Sequence, residues 1–140
     1  MTINESMNER CMEAFIIRHE SDIVRARQAA RNLAASLGFS LMNVTRVATA
    51  VSELARNTLE HGQGGMMRME SIGHEGRTGI RCVFIDEGPG IPDIDLALRD
   101  GFSTGKGLGQ GLPGSKRLMD EMKIESAVDQ GTTIEVIKWK

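Results

Sequence analysis

The 26 residues from Asp86 to Gly111 contain seven glycines and two prolines, a density that no helix or strand tolerates through its interior. A β-type run, Ile80-Arg-Cys-Val-Phe-Ile85, precedes this stretch. A short helix is expected to begin near Leu112, with Pro113 in its first turn. Irregular segments of this length inside a compact domain are usually either functional or without fixed structure. The fold must therefore carry a long loop between a strand and a helix, and the residues around that loop are the first place to look for chemistry.

A chain of 140 residues is the size of one common domain and can bury roughly two-thirds of its surface without a disulfide or metal staple. Residues 1–10 are polar and read as a flexible lead, leaving 11–140 as a single folded domain. Met12 to Arg18 suits a first strand. Ser21 is placed to cap a helix with Asp22 in its first turn, and apolar residues recur at three- and four-residue steps from Ile23 to Leu37, where Gly38 stops them. Ser40 can cap a second helix running to about His61, with an apolar stripe of Val44, Val47, Ala48, Val51, Leu54, Ala55 and Thr58. Helical periodicity puts Glu53, Asn57 and Glu60 on the face opposite that stripe. Strands Met66 to Ile72 and Ile80 to Ile85 turn around His74-Glu-Gly76. Lys123 to Val128 and Thr133 to Trp139 close the chain as a hairpin around Asp129-Gln-Gly131. This order predicts an α+β fold, a two-layer α/β sandwich in which helices cover one face of a mixed, mainly antiparallel sheet.

Composition excludes several classes. A formal net charge of −2 lacks the basic excess of a phosphate-backbone binder. No apolar run approaches the ~20 residues that cross a bilayer, and Met1 to Arg10 lack the apolar core of a signal peptide. Cys11 and Cys82 stand far apart with no CxxC or Cys/His cluster, which argues against structural zinc and suits a reducing compartment. The expected setting is cytoplasmic, with neither nucleic acid nor membrane as partner.

Three short segments carry chemistry. In Glu53-Leu-Ala-Arg-Asn57 a carboxylate and an amide lie one helical turn apart. Asn57 offers a neutral oxygen to a hard cation such as Mg²⁺, which keeps waters and phosphate oxygens as its other ligands. Glu53 can take the proton of an attacking hydroxyl. Taken alone, this pair is explained more simply as a solvated helix face. Asp86 ends its strand, and as an acceptor-only carboxylate it suits the exocyclic amine of adenine and repels the carbonyl of guanine. Gly88 and Gly90 are expected to clear space for a flat base, Pro89 and Pro92 to stiffen the turn, and Ile91 to pack on the ring. An ordinary surface turn would use the same residues.

In the third segment Gly105, Gly107, Gly109 and Gly111 run directly into the last helix. Glycines there let N–H groups converge on an anion, and a helix N-terminus favours negative charge. Lys106 can add a cation, and Ser103 and Thr104 can add hydroxyls. Leu108 and Leu112 fall in the same segment and complete the candidate nucleotide-binding set, with Thr132 able to reach the adenine edge directly or through water. Two familiar patterns do not fit. Gly101 to Lys106 is one residue short of a P-loop, and Gly107 stands where it needs Ser or Thr. Gly109-Gln-Gly111-Leu-Pro-Gly114 matches the dinucleotide fingerprint but follows a loop rather than a strand. His19, His61 and His74 show no ligand spacing and read as structural or exposed. The methionines read as core filler, with Met66, Met67 and Met69 able to sit near a pocket or partner surface.

The order and spacing of these segments resemble the N box and the two glycine boxes of the Bergerat (GHKL) ATP-binding fold, shared by DNA gyrase, histidine kinases and the bacterial anti-sigma serine kinases. The resemblance extends beyond the boxes to Ser52-Glu-Leu-Ala-Arg-Asn57, Asp86-Glu-Gly-Pro-Gly-Ile-Pro-Asp93, Asp100-Gly-Phe-Ser-Thr104, Gly107-Leu-Gly-Gln-Gly-Leu-Pro-Gly114, Lys116-Arg-Leu-Met-Asp120 and Lys138-Trp139. Over roughly residues 14–140 the chain is similar to the RsbT-type switch kinases of bacterial stress signalling. That resemblance implies a kinase that binds ATP and Mg²⁺ and phosphorylates a Ser or Thr on a STAS-domain protein. It makes Glu53 the catalytic carboxylate, Asn57 the magnesium ligand and Asp86 the adenine contact. Gly88 and Gly90 become the glycines of the first glycine box, Gly107, Gly109 and Gly111 the phosphate loop, and Thr132 the threonine of the last glycine box. It also implies partner switching, in which the kinase leaves its phosphorylated STAS scaffold and activates a PP2C-type phosphatase by binding it.

The alternative within the same domain is an anti-sigma factor that sequesters a sigma subunit. The Glu-Leu-Ala-Arg-Asn form of the first box and the Lys-Trp ending favour the switch kinase. A stand-alone ATPase or a histidine-kinase fragment fits less well, since such enzymes couple this fold to further domains or to a phospho-accepting helix.

Overall fold

The computed structural model describes residues 12–91 and 108–140, with Ile94 and Leu98 between them. In chain order its elements are β1 (Glu13–Ile17), α1 (Glu20–Ser36), α2 (Leu41–Glu60), β2 (Gly65–His74), β3 (Arg77–Asp86), α3 (Leu108–Leu118), β4 (Glu121–Ser126) and β5 (Thr132–Trp139). The strands form one sheet in the order β1-β2-β3-β5-β4, and every neighbouring pair is antiparallel. A mixed sheet was the expectation, and the connections explain the difference. Two helices between β1 and β2 return the chain to the end it left, so β2 comes back antiparallel. β3 and β4 do run in one direction across α3, but β5 inserts between them.

Period-two alternation puts Met67 and Met69 of β2, Ile80, Cys82 and Phe84 of β3, and Ile134 and Val136 of β5 beneath the helices, all buried. The stripe of α2 lies on this surface, with Val47, Val51, Leu54 and Ala55 buried. Small residues on α1 (Ala26, Ala30 and Ala34, all buried) contribute to the same core. Met67 and Met69 are therefore core residues, while Met66 alternates to the other face. Burial pushes the Cys82 thiol up to about 12, which leaves it protonated and inert.

The helix ends follow from local hydrogen bonding. Ser40 caps α2 as expected, its Oγ accepting the Asn43 N–H at 3.2 Å. The first helix begins one residue before Ser21. His19 holds the N-cap position in an extended conformation, and the Asp22 carboxylate accepts the N–H groups of Arg18 and His19, each at 2.9 Å. An acid in the first turn thus does the work expected of the serine.

Helix α3 starts at Leu108, earlier than the glycines suggest, and takes Gly109 and Gly111 into its first turns. Pro113 consequently lies inside the helix. Leu112 and Ser115 are buried along it and Met119 just after it, and that packing outweighs the poor helix propensity of glycine. At the chain's end, Asp120 accepts the Trp139 backbone N–H at 2.7 Å and the Lys138 ammonium at 3.3 Å. The Trp139 indole donates to Glu121 at 2.7 Å, and the Arg77 guanidinium lies 4.5 Å from its ring centroid. The Lys-Trp ending therefore pins the corner between α3 and β4 to the sheet.

The backbone N–H groups of Arg18 and His19 hold the Asp22 carboxyl below its usual range. Its contribution to stability is complete above the unfolded-state value and is lost as pH falls through the lowered folded value. Asp22→Ala should melt at a lower temperature than wild type at neutral pH, and the gap should close on acidification through that window. Thermal unfolding followed by circular dichroism across that range checks it.

Candidate functional site

Where α2 and β3 end, a cleft of about 80 Å³ opens between Asn57, His61, Asp86, Pro89, Gly90, Ile91, Thr132 and Ile134. Among the described residues larger concavities lie between α1 and α2 (about 350 Å³), beside the ends of β1, β2 and β3 (about 690 Å³) and beside the turn between β4 and β5 (about 300 Å³). Size does not choose among them. Among these, the small cleft is the one in which described residues from two of the three segments meet the threonine that follows Gly131.

Asp86 closes β3, paired with Gly65 on one side and Thr132 on the other. Its Oδ1 accepts the Gly88 N–H at 2.9 Å, turning the chain back on itself as an Asx turn does. Burial pushes this carboxyl above its usual value, and the N–H groups of Gly88 and Thr132 and the nearby His61 offset only part of that. A carboxylate held in a half-buried cleft is a strong acceptor for an N–H donor of a ligand.

Asn57 departs from its expected place. It lies at the border of the apolar stripe, only 8% exposed, rather than on the opposite face. The end of α2 runs under the loop after β3, so a border position becomes an interior one. Among the described residues its Nδ2 is buried without a hydrogen-bond partner. An unsatisfied buried amide costs about 1–3 kcal/mol, and a ligand entering the cleft can recover it. A half-turn of the amide exchanges its N and O, so the same head can meet a phosphate oxygen or a cation.

Glu53 is exposed one turn earlier on α2. Arg56 does not neutralise it, because that guanidinium is held by Glu20 at 3.1 Å and Glu60 at 3.4 Å. Hydrogen bonding to Glu20 first, and to Glu60, raises the Arg56 pKa further. Among the described residues no hydrogen bond or ion pair occupies Glu53.

The glycines of this loop also serve the protein's own packing. A Cβ on Gly88 would lie 2.7 Å from the Gly62 Cα, and Gly90, at φ +82°, presses against the Ala127 carbonyl. Their missing side chains admit the protein's own backbone, drawing the loop onto the end of α2 and onto the β4–β5 hairpin, while Gly90 also lines the cleft. Ile91 is buried in the cleft wall and joins the core. Leu112 is fully buried in the same core; its side chain seats α3 and is not presented to a ligand. Leu108, Gly109 and Gly111 belong to the first turns of α3, whose leading N–H groups have no acceptor within the helix. Ser103, Thr104, Lys106 and Gly107 lie outside the described residues.

Three residues at the site, His61, Ile134 and Ser126, escaped the sequence reading. His61, read there as structural or exposed, lines the cleft four residues after Asn57, and that helical spacing was a usable signal. Ser126 had no such signal, because only strand register brings it to Thr132. Among the described residues no group of three or more His, Cys, Asp or Glu side chains could hold a metal. A cation at Asn57 would need its other ligands from water and a bound phosphate chain, as Mg²⁺ commonly takes them.

Residues 18–138 match the histidine kinase-like ATPase domain. The chain belongs to that family. It is 49% identical over 120 residues to the serine/threonine-protein kinase RsbT of Bacillus subtilis, covering 86% of this chain and 90% of that protein. It is 33% identical over 116 residues to the anti-sigma F factor of Geobacillus kaustophilus, covering 78% of each. The solved RsbU and RsbW domains of Rv1364c from Mycobacterium tuberculosis share the fold, with a TM-score of 0.63 at 18% identity over 92% of this chain and 33% of that one.

For an ATPase domain of this family, the raised Asp86 pKa separates stability from binding. A carboxyl raised in the folded state costs stability that is complete above the folded value and fades as pH falls from there toward the unfolded-state value. Asp86→Asn keeps an acceptor for the Gly88 N–H and removes the charge. It should be at least as stable as wild type at neutral pH, the gap narrowing on acidification. Its ATP affinity should drop about tenfold to a hundredfold, the worth of a charged hydrogen bond. Paired melting curves and calorimetric titrations test both halves.

Proposed function

We propose that this chain is an ATP-dependent protein serine/threonine kinase of the partner-switching kind, phosphorylating a STAS-domain protein and then activating a PP2C-type phosphatase by binding it. One observation carries the reading of the site. The buried, unpartnered amide of Asn57 shares a cleft with the half-buried Asp86 carboxylate, and the unengaged carboxylate of Glu53 stands one helical turn away. The RsbT and anti-sigma relatives support the substrate class.

Asp86 would accept from the adenine amine, with Ile91 and Ile134 as the apolar wall. Asn57 would hold Mg²⁺ beside the phosphates, where its charge offsets theirs. The glycine-rich start of α3 supplies N–H groups suited to phosphate oxygens. Gly107 and Lys106, with the hydroxyls of Ser103 and Thr104, belong to the same proposed phosphate-binding segment. Glu53 would take the proton from the incoming Ser or Thr hydroxyl as its oxygen attacks the terminal phosphorus. An exposed base suits a protein substrate, which must bring its hydroxyl to the surface of the kinase.

The decisive experiment incubates the protein with labelled ATP, Mg²⁺ and candidate STAS proteins. Transfer of label to a Ser or Thr supports the reading. Recovery of a sigma factor on the protein, without transfer, favours the sequestering anti-sigma reading instead. Glu53→Gln should lower transfer by about 10²–10⁴-fold while ATP affinity stays within a few-fold, as measured by single-turnover assay and titration. Asn57→Ala should lose the Mg²⁺-dependent part of nucleotide affinity, seen by titrating with and without the metal.

A further inference from the structure

We infer that Ser126 is a positioning residue that fixes the Thr132 hydroxyl as an acceptor toward the bound base and so helps select a purine bearing a 6-amino group. The inference rests on the proposed reading of the cleft as an adenine site.

Ser126 ends β4 directly opposite Thr132, the first residue of β5. Its Oγ lies within hydrogen-bond distance of three groups: the Ile91 N–H at 2.8 Å, the Gly131 carbonyl at 3.0 Å and the Thr132 Oγ1 at 2.8 Å. Proton counting leaves one arrangement that satisfies all three. The Ile91 N–H can only donate, so Ser126 accepts from it. The Gly131 carbonyl can only accept, so Ser126 gives it its single proton. Thr132 must then donate to Ser126, whose two lone pairs are now both used.

The consequence falls on the cleft. With its proton committed to Ser126, Thr132 has only lone pairs to offer the cavity it lines. Asp86, its partner across β3 and β5, is also an acceptor. Two acceptors at one end of the cleft complement an amine with two N–H groups, and a base edge made only of ring nitrogens gives them nothing. The same hydroxyl ties down Ile91, the apolar wall of the cleft. The plain alternative is a hydroxyl that merely stitches the hairpin to the loop, and it makes a different prediction.

The test titrates ATP and purine riboside triphosphate, which lacks the 6-amino group but keeps the sugar and phosphates, into the intact protein with Mg²⁺. Wild type should prefer ATP. Ser126→Ala frees the Thr132 proton to meet ring N1, so ATP should weaken about fivefold while the purine analogue holds or improves. The ATP preference should fall by about that factor, and Ser126→Thr, which keeps a hydroxyl, should restore it. Thr132→Val should lower the preference too, and adding Ser126→Ala to it should change the preference no further. Equal weakening of both nucleotides, an unchanged preference, failed restoration by threonine in a folded protein, or additive effects in the double variant would each overturn the inference. A wild type that binds neither nucleotide would instead remove the adenine reading itself and the inference with it, an outcome distinct from an unchanged preference.

Discussion

One rung across the end of the sheet organises the molecule. Ile17, Gly65, Asp86, Thr132 and Ser126, one from each strand, stand side by side in the antiparallel register. Successive residues of a strand alternate faces, so these five share one, and it is the face beneath the helices. Gly65 has no side chain, and a Cβ there would sit 2.9 Å from the Thr58 methyl group; the end of α2 can therefore come down on the rung. Asn57 arrives with it. The polar half of the rung, from Asp86 to Ser126, faces a helix end that carries a buried amide, and the cleft is what lies between them.

This arrangement runs against stability. A carboxylate at Asp86 is raised by burial, and an amide at Asn57 is left without a partner. Each would be cheaper as an apolar residue. The domain tolerates both because the rest of the core is ordinary and dense, with Phe84, Met67, Leu54 and Val51 buried. Strain of this kind at the meeting point of several elements is the usual physical mark of a binding site. Stitching around it is correspondingly thorough: Gly88 against Gly62, Gly90 against Ala127, the Asp129 N–H to the Pro89 carbonyl at 2.8 Å, and Ser126 to three groups at once.

Much of the fold was legible in the chain because local rules govern it. The stripe of α2, the cap at Ser40, the turn at Glu75 and Gly76, and the strand ending at Asp86 follow from periodicity and turn chemistry. The misreadings have physical causes. Ser21 is a good cap by residue type, but Asp22 reaches two backbone N–H groups and takes its place. The glycines of α3 argue for loop, and burial of Leu112 and Ser115 makes helix. A helical wheel puts Asn57 opposite the apolar stripe, because it carries no information on which loop will cover the helix end. Local pattern alone does not show that Gly88 and Gly90 also admit the protein's own backbone beside the cleft.

By itself the sequence determined which chemical groups are available, and in which order: an acid and an amide one turn apart, an acid at a strand end, a glycine-rich approach to a helix, a threonine after a glycine. Those are short-range facts, written in neighbouring residues and in helical or strand period. Tertiary structure decided which of them meet, which are buried and in what protonation sense they face one another. Register between β3, β4 and β5 places Ser126 and Thr132 beside Asp86, and the descent of α2 onto Gly65 hides Asn57. Contacts between residues tens of positions apart depend on the packing of whole elements, and no local pattern records them.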